Sequence, residues 1–313
     1  MGGIEIDDSR AFVAAAAEAA RLDEAVLRDT FKSLIYLPVS LRREAAAAAS
    51  LEGFLVRPET LARVIGDRAA TSVDRGSRLA ADLYDVLTMS SEWPASGPSH
   101  EQAVTAFMTG DASSGRLMRP DVQWTVEEDA TWLVRELEGF AETPDPWTAA
   151  ETIRSVWTSG RFLGNARRMA MVCAPWVLAK GFGCARPLLG FSGEASRDPD
   201  GFREASQSKH AWSARAAAAA VSAFSRQRSL LEDCAAARAS LRALCPPGRS
   251  SSSVDAVIDF CFSSPVFTAK DLCGSVGLTP TGAKLILDRM VKAGVLSVDP
   301  ASRNRKYTCR RIP

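Results

Sequence analysis

Residues 267–311 read FTAKDLCGSVGLTPTGAKLILDRMVKAGVLSVDPASRNRKYTCRR, and this stretch decides the fold of the C-terminal part of the chain. Two short helical patterns flank Gly277, which supplies the backbone freedom that a tight turn between helices needs. Thr279 and Pro280 are typical of the cap and the first position of the second helix, and Gly294 ends it. The segments VLSVD and RKYTC then predict a β-hairpin around PASRN.

A further helix is predicted upstream, from Ser253, so that three helices precede the hairpin. This layout resembles the winged helix-turn-helix domains of bacterial regulators. The resemblance implies binding to double-stranded DNA, with the third helix in the major groove and the hairpin presenting cations to phosphates or the minor groove. A module that binds only protein is the alternative. The residues expected at the DNA are Thr279, Thr281, Gly282, Lys284, Arg303, Arg305, Lys306 and Tyr307.

Charge is divided unevenly along the chain. From Pro265 onward there are nine Lys and Arg against three Asp, a net charge of +6, whereas the whole chain carries +1 and the preceding residues therefore −5. Such a split is expected when one module faces a polyanion and the other does not. The nine cations are Lys270, Lys284, Arg289, Lys292, Arg303, Arg305, Lys306, Arg310 and Arg311.

The rest of the chain predicts helices, and the fold class is mainly α: an all-helical N-terminal domain and the small C-terminal module. The sequence LIYLPVS predicts a break between helices, and Thr125 with Glu128 has the spacing of a capping box that would place Asp129 in a first helical turn. CPPGRSSSS cannot sustain a helix and is the predicted linker. We therefore expect domains at 1–244 and 254–313, joined by 245–253.

Composition narrows the classes of function. The seven Cys lack CxxC spacing and only His100 and His210 are present, so we expect no metal site and no cofactor. Unpaired Cys at apolar positions favour the cytoplasm. The acidic start MGGIEIDDSR predicts no signal peptide, and no long uncharged apolar run predicts a membrane span. The tryptophans recur at helical spacing, which favours packing in a core over a ligand cage.

A second candidate site lies in SGRFLGNARRMAM, residues 159–171. Gly164 and Asn165 form a turn ahead of a helix whose first turn carries Arg167 and Arg168. Backbone amides at a helix N-terminus, together with an arginine, can bind phosphate. These four residues are the predicted anion or nucleotide site; an ordinary turn with surface arginines is the alternative.

The same stretch resembles an eroded form of the Fic motif, HPFx(D/E)GNGRxxR, which belongs to all-α enzymes that transfer AMP from ATP to protein hydroxyls. The segment AAAASLEGFLVRPETL is similar to the inhibitory helix of that family, with Ala48 in place of its Ser and with Glu52 kept. The likeness is diffuse over residues 10–240. The closest overall likeness is to an uncharacterised bacterial family of helical proteins with a C-terminal helix-turn-helix.

Departures from the motif bear on the chemistry. The family's catalytic His corresponds to Ser159, its metal-binding acid to Leu163 and its last Arg to Ala170, whereas its phosphate-binding Arg corresponds to Arg167. A serine cannot act as a base near neutral pH, and leucine cannot bind a metal. With no Arg at 170, Glu52 would cap a helix or meet Arg167 or Arg168.

The sequence thus predicts a DNA-binding transcriptional regulator whose Fic-like helical domain is catalytically inactive and serves dimerisation or the sensing of a nucleotide or other small effector. The expected assembly is a homodimer. Residual nucleotidyl transfer at Asn165 and Arg167, or a protein-interaction scaffold, are the alternatives from other classes of function.

Overall fold

The described part of the chain is mainly helical, as predicted. The computed structural model describes residues 5–66, 73–90, 120–162, 165–245, 251–299, 305–309 and 312–313. The helices in these residues are α1 (Glu5–Arg28), α2 (Thr30–Ser50), α3 (Pro58–Gly66), α4 (Arg75–Ser90), α5 (Pro120–Glu142), α6 (Pro146–Thr158), α7 (Ala166–Gly181), α8 (Phe191–Arg197), α9 (Pro199–Ala205), α10 (Lys209–Leu244), α11 (Ser251–Ser263), α12 (Ala269–Val276) and α13 (Pro280–Lys292). The strands are β1 (Val266–Thr268), β2 (Ser297–Asp299) and β3 (Lys306–Thr308).

Two predicted boundaries are wrong. Helix α2 continues through Pro38, although LIYLPVS predicted a break. A proline in a helix removes one backbone donor, but the flanking Ile35 and Val39 are buried, and packing of this kind outweighs the local cost. Helix α5 begins at Pro120 and already includes Thr125, because proline at the first helical position is a strong start signal.

The chain divides into two compact units. Unit 1 comprises Met1–Ala25, Arg43–Val56 and Asp74–Arg228, and unit 2 comprises Val26–Arg42, Arg57–Val73 and Ser229–Pro313. Helices α1, α2 and α10 each contribute residues to both units. Residues 246–250 of the predicted linker lie outside the described residues. Its last three residues, Ser251–Ser253, already belong to α11, so the prediction that the linker cannot be helical is wrong for them, while the division into domains stays a prediction.

Unit 1 is built around α7, which is buried on almost every side and packs along α6. A helix that is apolar all round belongs in the middle of a core. Beside it, the ring of Trp212 lies 5.6 Å from those of Trp157 and Phe202, and its Nε1 donates to the carbonyl of Ala150 at 2.7 Å. The predicted packing role is confirmed for Trp157, Trp176 and Trp212, all buried, whereas Trp147 is exposed.

A buried carboxylate caps helix α8 inside unit 1. Glu44 of α2 accepts hydrogen bonds from the backbone N–H of Gly190 at 2.6 Å and of Ser192 at 3.0 Å. Burial raises the pKa of Glu44, and the hydrogen bonds from Ser192 and Gly190 offset part of that rise. Gly190 has φ 103°, a backbone conformation that residues other than glycine rarely adopt, and a Cβ there would also lie 2.9 Å from the side-chain nitrogen of Gln227.

Within unit 2, helix α11 is bonded by one buried arginine and by two half-buried arginines. Arg42 is buried and donates to the carbonyl of Phe262 at 2.7 Å and to that of Ser263 at 3.0 Å, at the C-terminal end of α11. A cation bonded to the last carbonyls of a helix satisfies acceptors that the helix leaves open. Two ion pairs join α10 to α11, Arg238 with Asp259 at 2.6 Å and Arg242 with Asp255 at 2.7 Å.

The last sixty residues follow the order helix, strand, helix, helix, strand, strand. The sheet order is β1-β3-β2 and both pairs are antiparallel, with Phe267 and Val298 both opposite Tyr307. The predicted pairing of the last two strands is confirmed. Strand β1 was not predicted, because three residues between two helices are too few to show alternation.

Gly66, the last residue of α3, lies against strand β1. A Cβ built on Gly66 would lie 2.2 Å from the carbonyl oxygen of Val266, far inside any real contact. Only glycine therefore allows α3 and β1 to approach as closely as they do in unit 2.

Within these described ranges, the helices lack the length and apolar character that a membrane crossing would need. In the same residues no group of three or more His, Cys, Asp or Glu could hold a metal ion.

Candidate functional site

The first candidate site begins with the turn between α12 and α13, which is fixed by local hydrogen bonds. Thr268 accepts from the N–H of Asp271, and the Asp271 carboxylate accepts from the N–H of Thr268 at 2.8 Å, a capping box at the start of α12. Gly277 ends α12 with φ 72°, in the left-handed region. The predicted turn at Gly277 is confirmed.

The start of α13 is an exposed cap. The Thr279 hydroxyl oxygen accepts from the N–H of Gly282 at 3.2 Å, and Pro280 occupies the first helical position. Thr279 is exposed and Gly282 half-buried. The predicted cap is confirmed, and the side-chain oxygen of Thr279 is held by the helix it begins.

Helix α13 has two distinct faces. Ala283, Leu287 and Met290 recur at helical spacing and are buried, so they form the core stripe of the helix. Thr281 and Lys284 are exposed, so these two predicted contact residues point away from the core.

Sequence reasoning missed Leu285, which is 68% exposed on the same outer side of α13. At 3.6 residues per turn, position 285 lies about 200° around the helix from position 283. The spacing that identified the buried stripe could therefore have placed this leucine opposite it.

The predicted contact residues of the β2–β3 hairpin differ in their exposure to solvent. Arg305 is exposed and Lys306 is half-buried on β3, whereas Arg303 lies outside the described residues. Tyr307 is only 4% exposed, and its ring stacks on Phe267 with centroids 6.0 Å apart and an interplanar angle of 24°. Its place is in the core beneath the sheet, so we do not count it among the surface contacts.

Four cations are exposed among the described residues from 265 onward: Lys270, Lys284, Lys292 and Arg305. The exposed Asp271 is engaged in the cap of α12. The C-terminal surface is thus positively charged where it is described.

The second candidate site is the turn before α7, and its centre is Asp129 of α5. Asp129 is 3% exposed; its carboxylate accepts from the N–H of Phe162 at 2.6 Å and from the guanidinium of Arg161 at 3.0 Å. Phe162 is buried with φ 61°, a backbone conformation that costs a non-glycine residue about 1–2 kcal/mol. Asp129 therefore holds the turn in place with a negative charge of the protein's own.

The spacing of Thr125 and Glu128 predicted that Asp129 lies in the first turn of a helix. That interpretation is wrong, because α5 begins at Pro120 and Asp129 lies in its third turn. Its partners Arg161 and Phe162 lie 32 and 33 residues away, and no spacing signal links the positions.

The predicted anion-binding residues that the structure describes have separate surroundings. Asn165 precedes α7 without a capping hydrogen bond from its side chain, and Gly164 lies outside the described residues. The Arg167 guanidinium lies over the ring of Trp157, 5.6 Å from its centroid. Arg167 thus has an aromatic neighbour within its own unit.

Arg168 is half-buried and sits in a mixed field of charge. Burial lowers its pKa, Glu52 and Asp82 act against that effect, and Arg75 adds to it. Glu52 and Arg168, both in unit 1, are thus close enough for their charges to interact. Ser159, which corresponds to the catalytic His of the Fic motif, donates its hydroxyl to the carbonyl of Val156 at 2.9 Å and accepts from the N–H of Arg161 at 3.3 Å.

The chain shares its fold with solved structures, although sequence comparisons find no match. No protein-family model matches the chain, and no curated protein matches it. The structure is similar to the 2.70 Å crystal structure of a Fic family protein from Desulfovibrio desulfuricans G20, with 12% sequence identity, a TM-score of 0.49, and coverage of 96% of this chain and 95% of that chain. A likeness of this degree assigns neither an activity nor a ligand.

Proposed function

We propose that this protein is a DNA-binding transcriptional regulator that acts in the cytoplasm and contacts double-stranded DNA through α13 and the β2–β3 hairpin. The observation that carries the proposal is the outer face of α13, where Thr281 and Lys284 are exposed directly after a well-formed cap. The first turns of such a helix are the part that reaches base edges in helix-turn-helix complexes.

Topology and charge support the same proposal. The order α11, β1, α12, α13, β2, β3 with a three-stranded sheet resembles a winged helix-turn-helix, in which the last two strands form the wing. The net charge of +6 from residue 265 onward favours a polyanionic partner. Two of the cations in this part of the chain, Lys284 and Arg305, are exposed to solvent.

The test is binding of the full chain to random-sequence duplex DNA, measured by fluorescence anisotropy over a series of salt concentrations. Each phosphate contact contributes about 0.9 to the slope of log affinity against log salt. We expect Lys284→Ala and Arg305→Ala each to weaken binding and to reduce that slope by up to about one. The matched control is Lys209→Ala, which removes an exposed lysine of unit 1 whose side chain is 74% exposed. Unchanged affinity and slope in the first two variants would refute this assignment of the interface.

We also propose that the helical domain does not transfer AMP. The hydroxyl of Ser159 is bonded to Val156 and Arg161, and it has no pKa near neutrality with which to take a proton. Incubation with α-labelled ATP and Mg²⁺ should leave protein unlabelled. Label that appears on protein and is abolished by Arg167→Ala would contradict this.

The remaining role proposed for the helical domain is dimerisation or the sensing of a nucleotide or other small effector. Sedimentation of the full chain tests the homodimer. A thermal shift with ATP, ADP or AMP tests nucleotide binding, since a ligand at a hundred times its dissociation constant stabilises a protein by about 2.7 kcal/mol.

A further inference from the structure

The outer face of α13 carries an apolar side chain between polar ones. Lys284 and Leu285 lie three and four residues after Thr281, so each is a neighbour of Thr281 on the helix surface. Among the described residues from 251 onward, Leu285 is the large hydrophobic side chain that is exposed, at 68%. The other large apolar side chains of α13, Ile286, Leu287 and Met290, are buried.

An exposed leucine in the second turn of a helix that enters the major groove would meet the floor of that groove. The apolar feature that DNA presents there is the C5-methyl group of thymine, which distinguishes it from every unmethylated base. Lysine at the adjacent position can contact phosphate or guanine, whereas a leucine side chain has no hydrogen-bonding group and can only gain from apolar contact.

We propose that Leu285 is a specificity-determining residue that reads a pyrimidine C5-methyl group, that of thymine or of 5-methylcytosine. This inference rests on the proposed DNA-binding function and names the chemistry of the base that α13 selects. Lys284 contributes affinity at the same site and Leu285 contributes the choice of base.

The experiment begins with selection of tight-binding duplexes from a random library by the full wild-type chain. Each thymine of a selected duplex is then replaced in turn by deoxyuridine, which removes only the methyl group. At one or more positions we expect the wild-type chain to lose about fourfold in affinity, as burial of one methyl group predicts. A 5-methylcytosine–guanine pair placed at such a position should bind more tightly than the unmethylated pair.

The variants separate Leu285 from its neighbours. Leu285→Ala should bind the thymine and deoxyuridine duplexes equally, and Leu285→Met should keep part of the difference. Lys284→Ala should weaken binding to both duplexes by the same factor and leave their ratio unchanged. Leu55→Ala is the matched control, at a leucine of unit 1 that is 96% exposed. It should change neither the affinity for the thymine duplex nor the ratio of the affinities for the thymine and deoxyuridine duplexes.

Two results would overturn the inference while leaving DNA binding intact. One is a selected duplex for which no thymine can be distinguished from deoxyuridine. The other is a thymine preference that Leu285→Ala retains, with circular dichroism showing that the variant is folded. If the wild-type chain selects no duplex above non-specific background, or binds a protein partner through Leu285 instead, the proposed function fails and this inference fails with it.

Discussion

Asp129 is the single side chain on which the conformation of the turn before α7 depends. Its buried carboxylate neutralises Arg161 and accepts from the N–H of Phe162, whose left-handed backbone would otherwise be unsupported. We expect Asp129→Ala to lower the free energy of unfolding by about 2–3 kcal/mol, because it leaves a buried donor without a partner and removes a charge-assisted hydrogen bond. The shift of the urea midpoint at constant slope measures this loss.

The matched control for Asp129 is Asp200. Its side chain is 74% exposed and pairs with the exposed Arg203, so Asp200→Ala should change the free energy of unfolding by less than about 0.5 kcal/mol. Equal urea midpoints for the two variants would show that Asp129 does not hold the turn.

Glu44 predicts a pH dependence of stability. Its pKa is raised in the folded state, chiefly by burial, so the folded protein keeps a proton that the unfolded chain loses once the pH exceeds its ordinary value of 4.5. The contribution of Glu44 is therefore fully present below pH 4.5 and is lost as pH rises through the raised pKa. We expect the difference in unfolding free energy, wild type minus Glu44→Gln, to fall as the pH is raised from acid to neutral.

A second carboxyl group, that of Asp74, provides a control whose contribution to stability changes with pH in the opposite direction. Hydrogen bonds from Ser77 lower the pKa of Asp74, whose stabilising effect is therefore lost as pH falls through that lowered pKa. Urea unfolding at several pH values should give slopes of opposite sign for Glu44→Gln and Asp74→Asn. A difference for Glu44→Gln that grows with pH would contradict the raised pKa.

At the scale of elements, α10 is joined to α11 by paired charges. The Arg238 guanidinium bonds both oxygens of Asp259, at 2.6 Å and 3.2 Å, and both side chains are about three-quarters buried. A bidentate pair shielded in this way should couple more strongly than an exposed one, by about 1 kcal/mol in a double-mutant cycle of Arg238→Ala and Asp259→Ala. The same cycle on Arg203 and Asp200 should give a coupling near zero. Equal couplings would mean that α10 and α11 are held by apolar packing alone.

Elements whose signals are local could be predicted, and those that depend on distant partners could not. The caps at Thr268 and Thr279 and the turn at Gly277 are fixed by neighbours within four residues. The bonds of Glu44 and Arg42, by contrast, reach across 146 and 220 residues, and nothing in a single sequence links such positions. The same limit applies to the candidate site: the outer face of α13 follows from helical spacing, whereas the anchor of the turn at Phe162 does not.

At the scale of the whole molecule, unit 2 includes more of the chain than the last sixty residues. Arg42 and the arginines of α10 all bond α11, so a fragment of residues 254–313 would lack every one of these partners. We expect a fragment of residues 229–313, which keeps the two ion pairs, to be more stable than residues 254–313 by about 1–2 kcal/mol. Thermal unfolding followed by circular dichroism measures the difference.

The arginine contribution can be isolated in the longer fragment. Replacing Arg238 and Arg242 by Ala in residues 229–313 should lower its unfolding temperature to near that of residues 254–313. Identical unfolding of the two unmodified fragments would instead support an independent domain that begins after the predicted linker at 245–253.

The contact between Gly66 and strand β1 offers a tool for genetics. A methyl group at position 66 would collide with the carbonyl of Val266, and β1 is hydrogen-bonded to β3, the strand that follows Arg305. Gly66→Ala should therefore yield a conditional allele, whose product works in cells grown cool and fails in cells grown warm. Shifting such a culture between temperatures would switch the protein off without touching any residue proposed to contact DNA. Under the proposed function, the genes whose transcripts change first would be its direct targets.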